Sequence, residues 1–192
     1  MRKLKSLFLD IFDMLSFLVF VWWIVLFVRF FIAQPYTVVW ASMAPTFEEN
    51  DFIVVDKVTN KIGELKRWDV IVFVPPGKDI PYIKRIVWLP WEKIKIQENK
   101  VLVCNKINEK DSCTELNEPY LEENTRTDTR CGINEFTVSQ SWLFVMWDNR
   151  WFSTDSRCCF GLWCYSGTSY EVPFNNIVGK VLIRFFPNTK TF

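Results

Sequence analysis

MLSFLVFVWWIVLFVRFFIA, residues Met14–Ala33, carries a single charge, Arg29, near its far end. A helix of about 20 apolar residues spans the hydrocarbon of a bilayer, so this stretch is expected to be a single transmembrane anchor. Arg2, Lys3 and Lys5 precede it. Basic residues favour the cytoplasmic side, which places the N-terminus inside and everything after about Gln34 outside. Arg29 snorkels to the outer interface. Two other readings exist. A cleaved secretory peptide has an apolar core of roughly 7 to 15 residues and a small-x-small site, whereas this run is longer and no convincing site follows. A buried core helix needs helices to pack against, and nothing later in the chain resembles one. The expected location is the cell membrane, in a single pass.

Past Gln34 the pattern changes to short runs rich in β-branched and aromatic residues, broken by Pro, Gly, Asn and Asp, which reads as strands and turns. Expected strands are Phe52–Lys57, Val70–Val74, Tyr82–Val87, Lys93–Gln97, Val101–Cys104, Leu143–Met146 and Ile177–Phe185. The fold class is therefore mainly β: residues 1–33 form the anchor and 34–192 one β-rich extracytoplasmic domain. Residues 98–135 turn polar and read as an insertion or β-ribbon at the domain's edge. Cys104 and Cys113 flank a short polar turn there and are placed to pair in an exported domain. Cys158, Cys159 and Cys164 lie near a second loop, where one more bridge is expected, with Cys131 a further candidate.

Composition narrows the chemistry. At 192 residues and 49% hydrophobic content the chain can bury one substantial core. With 23 Lys plus Arg against 22 Asp plus Glu it has no strong field for collecting nucleic acid, which is not an expected partner. Histidine is absent, so the Ser-His-Asp and Cys-His arrangements are closed to it. Acid and base work falls to Lys, Asp, Glu, Tyr or Cys. Without imidazole or a C-x-x-C pair no metal is expected, and no cofactor.

Three segments carry the chemistry. Val39-Trp40-Ala41-Ser42-Met43-Ala44-Pro45-Thr46-Phe47 holds a serine just past the anchor; by itself it is a loop serine bonding its own backbone. In Tyr82-Ile83-Lys84-Arg85-Ile86-Val87, alternation gives Lys84 apolar neighbours on its face. A lysine desolvated in that way loses its proton more readily and can deprotonate a serine; one whose head reaches water does not. Met146-Trp147-Asp148-Asn149-Arg150-Trp151-Phe152-Ser153-Thr154-Asp155-Ser156-Arg157 is dense in polar groups. There Ser153 is expected to orient the base, and Asp155 and Arg157 to pair and brace the loop.

In order and spacing these segments resemble the bacterial signal peptidase I family, with its Ser-Met-x-Pro-Thr, Lys-Arg and Gly-Asp-Asn-Arg boxes. Asn50-Asp51-Phe52-Ile53-Val54-Val55-Asp56-Lys57 looks like that family's Gly-Asp strand. The resemblance runs from the anchor to about Ile183 and is weakest between Glu98 and Glu135. It implies a serine endopeptidase working by a Ser-Lys dyad: Ser42 the nucleophile, Lys84 the general base, Ser153 holding the lysine, and the Ser42 backbone N–H in the oxyanion hole. Residues near Val38, Met43, Tyr82 and Ile83 would line pockets for small side chains. The implied partners are exported preproteins with Ala-x-Ala-like sites, and the lipid bilayer. A self-cleaving repressor type of Ser-Lys peptidase is disfavoured by the anchor and by Asp148-Asn149-Arg150.

One departure recurs. Trp40, Trp68, Trp88, Trp91 and Trp147 stand where the family pattern has glycine, in a chain with 10 Trp against 6 Gly. An indole where a turn needs glycine is expected to cost about 1 to 3 kcal/mol of strain and to obstruct the groove. The repetition of one residue suggests UGA codons that the source reads as glycine and that are written here as tryptophan. If the tryptophans are genuine, the rival is a catalytically silent, membrane-tethered binding protein on the same fold. Aromatic residues suit membranes, so Trp22 and Trp23 need no such account.

Overall fold

The computed structural model describes residues 2–59, 65–107, 110–123, 125–129, 131–151, 154–164, 168–186 and 188–192. Its first element, α1 (Arg2–Phe27), runs on into a π-helical turn at Val28–Ile32. Within it, Leu9–Ile32 has a mean hydropathy of 2.5, and none of that window is buried by protein. A helix apolar all round with no protein over it has lipid as its natural solvent. It starts upstream of Met14. Ala33, expected to close the span, instead opens the first strand.

That strand, β1 (Ala33–Thr37), is followed by β2 (Phe52–Asp56), β3 (Val70–Phe73), β4 (Tyr82–Trp88), β5 (Lys93–Gln97), β6 (Lys100–Ile107), β7 (Lys110–Glu115), β8 (Glu135–Thr137), β9 (Trp142–Met146), β10 (Val172–Pro173), β11 (Ile177–Phe186) and β12 (Lys190–Thr191). The larger sheet has the order β1-β2-β11-β3-β4-β9-β10, with β12 on β11; the smaller is β7-β6-β5-β8. Every expected strand is present with small shifts at its ends. The five that the pattern missed are mostly short. β1 contains Pro35, whose missing N–H suits the sheet edge it occupies.

Burial explains which strands sit at the centre. β3 reads Val-Ile-Val-Phe and is buried at every position, and β4 is buried from Lys84 onward. A core of Val87, Trp88, Ile94, Ile96, Phe136 and Phe144 lies where the two sheets meet. A second cluster, including Val38, Met43, Phe47, Val55, Val70 and Val181, fixes the segment after β1 to the large sheet.

β6 and β7 pair as a ribbon in which Cys104 faces Cys113 and bonds to it. Glu118, Tyr120 and Thr127, however, bond to Arg150 in the loop after β9. The remaining cysteines pair as Cys131–Cys158 and Cys159–Cys164, so Cys131 is one of the partners.

The tryptophans divide by conformation. Trp68 and Trp91 have φ of 77° and 73°, the left-handed region that strains any residue with a Cβ. Trp40 is extended (φ −128°), so strain at that backbone, which the sequence led us to expect, is not found. Trp88 is buried edge-on to Phe144, and its Nε1 is the one buried side-chain nitrogen or oxygen without a hydrogen-bond partner among the described residues. Such an orphan costs about 1–3 kcal/mol.

Candidate active site

The serine is presented by a loop tied down at both ends. Val38 N–H donates to Asp51 O at 2.9 Å and Asn50 N–H to Val38 O at 2.8 Å, which continues the β1–β2 pairing past Thr37. The chain then enters a 3₁₀ turn, Ala41–Met43, and a cis Ala44–Pro45 bond. Met43 and Phe47 are wholly buried and anchor the turn. Ser42 is left 5% exposed, at the floor of a cavity of about 850 Å³.

Lys84 reaches the same cavity from β4. Its residue is 1% exposed, and Nζ donates to Ile83 O at 2.9 Å. Burial holds the amine well below its ordinary 10.5, against the opposing pull of the Asp155 carboxylate. Desolvation wins here because one hydrogen bond and one carboxylate replace a full hydration shell. The ring of Tyr82 lies 4.8 Å from Nζ. The ring of Trp147 is closer, at 3.3 Å, and its Nε1 is pinned to Thr154 O at 2.6 Å. The indole face therefore caps the amine.

The cavity is walled on one side by Tyr36 to Ser42 and on the other by Ile80 to Lys84. Val38, Tyr82 and Ile83, named from the sequence as pocket residues, line it. Met43 does not. It packs behind the wall in the core, because its place in the 3₁₀ turn points it away from the opening. Trp40, 74% exposed, and Trp147 line the cavity as well.

Asp155 accepts from the backbone N–H of Arg157 at 2.9 Å and from its guanidinium Nε at 2.9 Å, so the expected pair is formed and buried. Arg157 also donates to Arg150 O at 3.1 Å and to Asp128 O at 3.1 Å. Ser153 lies outside the described residues; its neighbour Thr154 lines the cavity.

Sequence reasoning did not single out the ion pair that joins these parts. Arg85, next to Lys84, donates to both oxygens of Asp148, at 2.8 and 2.6 Å. Asn149, one residue on, donates its backbone N–H to Ser42 O at 3.1 Å and its side-chain amide to Ala41 O at 3.3 Å. The lysine strand and the serine turn are thus both tied to residues 148–149. A buried arginine needs a charged partner, and that rule applied to Arg85 would have led to Asp148.

Against known sequences, residues 11–186 match the profile described as signal peptidase, peptidase S26. The chain belongs to that family. Signal peptidase I T of Bacillus subtilis (strain 168) is 31% identical over 168 residues, 84% of this chain and 78% of that protein. Signal peptidase I U of the same strain is 30% identical over 191 residues, 97% of this chain and 90% of that one. A crystal structure of a signal peptidase I from Enterococcus faecalis V583 overlaps 62% of this chain and 98% of its own, with 22% identity and a TM-score of 0.43. Membership makes the chain a peptidase of the signal peptidase I type, whose work is removing signal peptides, and α1 fits a membrane-anchored member of the family.

Proposed function

We propose that this peptidase cleaves exported preproteins by Ser-Lys dyad chemistry. The neutral Lys84 amine takes the Ser42 Oγ proton as Oγ bonds the scissile carbonyl carbon. The developing oxyanion is met by the Ser42 backbone N–H. Collapse expels the new N-terminal amine, which receives the proton back from Lys84, and leaves an acyl-serine. Water, deprotonated by the same amine, then releases the signal peptide and regenerates Ser42. The observation that carries this reading is the buried Lys84 amine, held well below its ordinary value in the cavity that contains Ser42. Apolar walls around Val38, Tyr82 and Ile83 support acceptance of small apolar side chains before the cut. Ser153 is the candidate to orient the amine, while Asp155 and Arg157 brace the loop.

The N-terminus faces the cytoplasm and residues 34–192 the outside, a placement supported by Arg2, Lys3 and Lys5 before the span and by three disulfides, which persist in oxidising compartments. An anchor beside the site raises the effective concentration of a substrate held in the same bilayer.

The Trp147 ring on Lys84 favours a second reading for the chain as written: a silent, membrane-tethered binding protein. A cation–π contact stabilises the charged ammonium, the form that cannot act as base. Glycine at 40, 68, 88, 91 and 147 in the source organism, through UGA recoding, removes that contact. The deciding experiment is cleavage of a preprotein with an Ala-x-Ala site by the written chain, by a chain with those five glycines, and by Ser42→Ala and Lys84→Ala in the active parent. Full activity of either alanine variant sinks the dyad; no cleavage by the glycine chain favours the binding role.

A further inference from the structure

The segment between the β6–β7 ribbon and β8 was expected to be an insertion or β-ribbon at the domain's edge, yet it supplies partners of a buried cation beside the site. Arg150 has a fully buried guanidinium side chain. It donates to its own loop at Trp147 O, 2.8 Å, through Nε. Its other nitrogens go to the insertion: Nη1 to Thr127 Oγ1 at 2.9 Å, Nη2 to Tyr120 Oη at 3.0 Å, and a close ion pair with Glu118. Tyr120 Oη in turn donates to Glu118. Burial pushes its phenol well above 10, so it stays a donor across the neutral range. The Tyr120 ring lies 4.0 Å from the Arg85 guanidinium carbon, covering the ion pair that Arg85 makes with Asp148.

Glu118 thus holds Arg150, within the loop 148–150, while Tyr120 touches both Arg150 and Arg85, the partner of Asp148; in the same loop Asn149 is bonded to Ser42 and Ala41. We propose that Glu118 and Tyr120 are positioning residues of the peptidase: they fix the 148–150 loop and, through Asn149, the Ser42 turn relative to Lys84. This rests on the dyad reading of the site. A buried arginine stripped of its carboxylate must recruit water or move, and the serine turn moves with it. Displacement by about 1 Å at a catalytic group costs up to about a hundredfold in rate.

The test uses full-length chain in detergent, as written and with glycine at the five positions, carrying Glu118→Ala, Glu118→Gln or Tyr120→Phe. Two readouts are taken. In whichever chain cleaves preprotein, Glu118→Ala is expected to lower kcat by about ten- to a hundredfold with KM within about twofold, and Glu118→Gln, which still accepts a hydrogen bond but removes the counter-charge, to recover only part of it. In both chains, active or silent, hydrogen exchange of peptides covering 40–43 and 148–150 is expected to quicken by about tenfold while the β2–β11 pairing stays protected. Tyr120→Phe keeps the ring over Arg85 and is expected to give a smaller effect in both.

Unchanged exchange at 40–43 and 148–150 overturns the proposal, as does a rise in KM with kcat intact. Uniform loss of protection across the sheet also overturns it, since that marks a merely structural role. Activity surviving Ser42→Ala strikes instead at the dyad, leaving the exchange result to judge the clamp.

Discussion

At Trp91 the recoding hypothesis predicts a stability change that can be worked out from the backbone. Its φ of 73° puts a Cβ-bearing residue in the left-handed region, at about 1–2 kcal/mol. The side chain is 72% exposed, so little burial is lost on its removal. The backbone N–H bond to Val138 O, 2.9 Å, survives any substitution but proline. Glycine removes the strain but gives back about 0.5–1 kcal/mol in unfolded-chain entropy. The net expectation for Trp91→Gly is a gain of about 0.5–1 kcal/mol, or about 2–3 °C in Tm for a chain this size. Alanine is the control: it loses the indole yet keeps the Cβ and the strain, so Trp91→Ala is expected to fall below glycine by about 1 kcal/mol. Melting of the three chains in the same detergent, followed by circular dichroism, decides. If alanine stabilises as much as glycine, or glycine lowers Tm, the backbone at residue 91 does not call for glycine and the reasoning fails.

Four further expectations follow from the site. Because Lys84 is depressed by burial, kcat/KM of the active chain rises with pH through one ionisation lying well below 10.5; a rise centred on lysine's ordinary value refutes its role as buried base. The same shift makes the folded chain gain stability as pH climbs from that lowered value toward 10.5, since there the unfolded chain holds the proton and the folded one does not; urea midpoints across that range check the sign. Trp147→Gly alone is expected to raise preprotein cleavage at least about tenfold by uncapping the amine, and equal rates for the two chains show the indole to be harmless. Replacing Cys131 and Cys158 by serine opens a loop of sequence separation 27 and is expected to cost about 3 kcal/mol, seen as a drop in Tm of the oxidised chain that reductant removes.

What could be read beforehand followed from periodicity and residue chemistry. The apolar run to Ile32 and the alternation of Tyr82 to Val87 are local patterns, and they located the helix and the lysine strand. The short strands β8, β10 and β12 have too few residues for a period to show, and β1 was hidden by the apolar run that leads into it. Arg150's partners were not legible for another reason. Glu118, Tyr120 and Thr127 lie 32, 30 and 23 residues away, in a segment whose polarity suggested solvent. Polar composition marks exposure only when the polar groups are not paired with a buried charge. Met43 shows the converse: nearness to Ser42 in sequence implied the pocket, while the 3₁₀ turn sent it to the core.

The tryptophans bring these lines together. Consistency between local preference and global fold is what a natural sequence normally displays, and breaks in it gather at functional sites, where they serve the mechanism. Here the breaks do not serve it. Trp68 and Trp91 are strained away from the cavity, Trp88 leaves a buried N–H unpaired in the core between the sheets, and the Trp147 ring lies 3.3 Å from the Lys84 amine, where it favours the charged ammonium. Three different physical penalties fall on one residue type at four positions, although left-handed backbone is not confined to tryptophan, since Cys159 and Phe160 have φ of 52° and 57°. A silenced descendant would accumulate unrelated losses, and its Arg85–Asp148 and Arg150–Glu118 pairs would be free to drift; both are formed and buried. The recurrence of tryptophan at these penalised positions is what UGA recoding predicts, and reading the triplets at 40, 68, 88, 91 and 147 separates it from decay: UGA at each fits glycine in the source, and UGG at any of them removes that position from the argument.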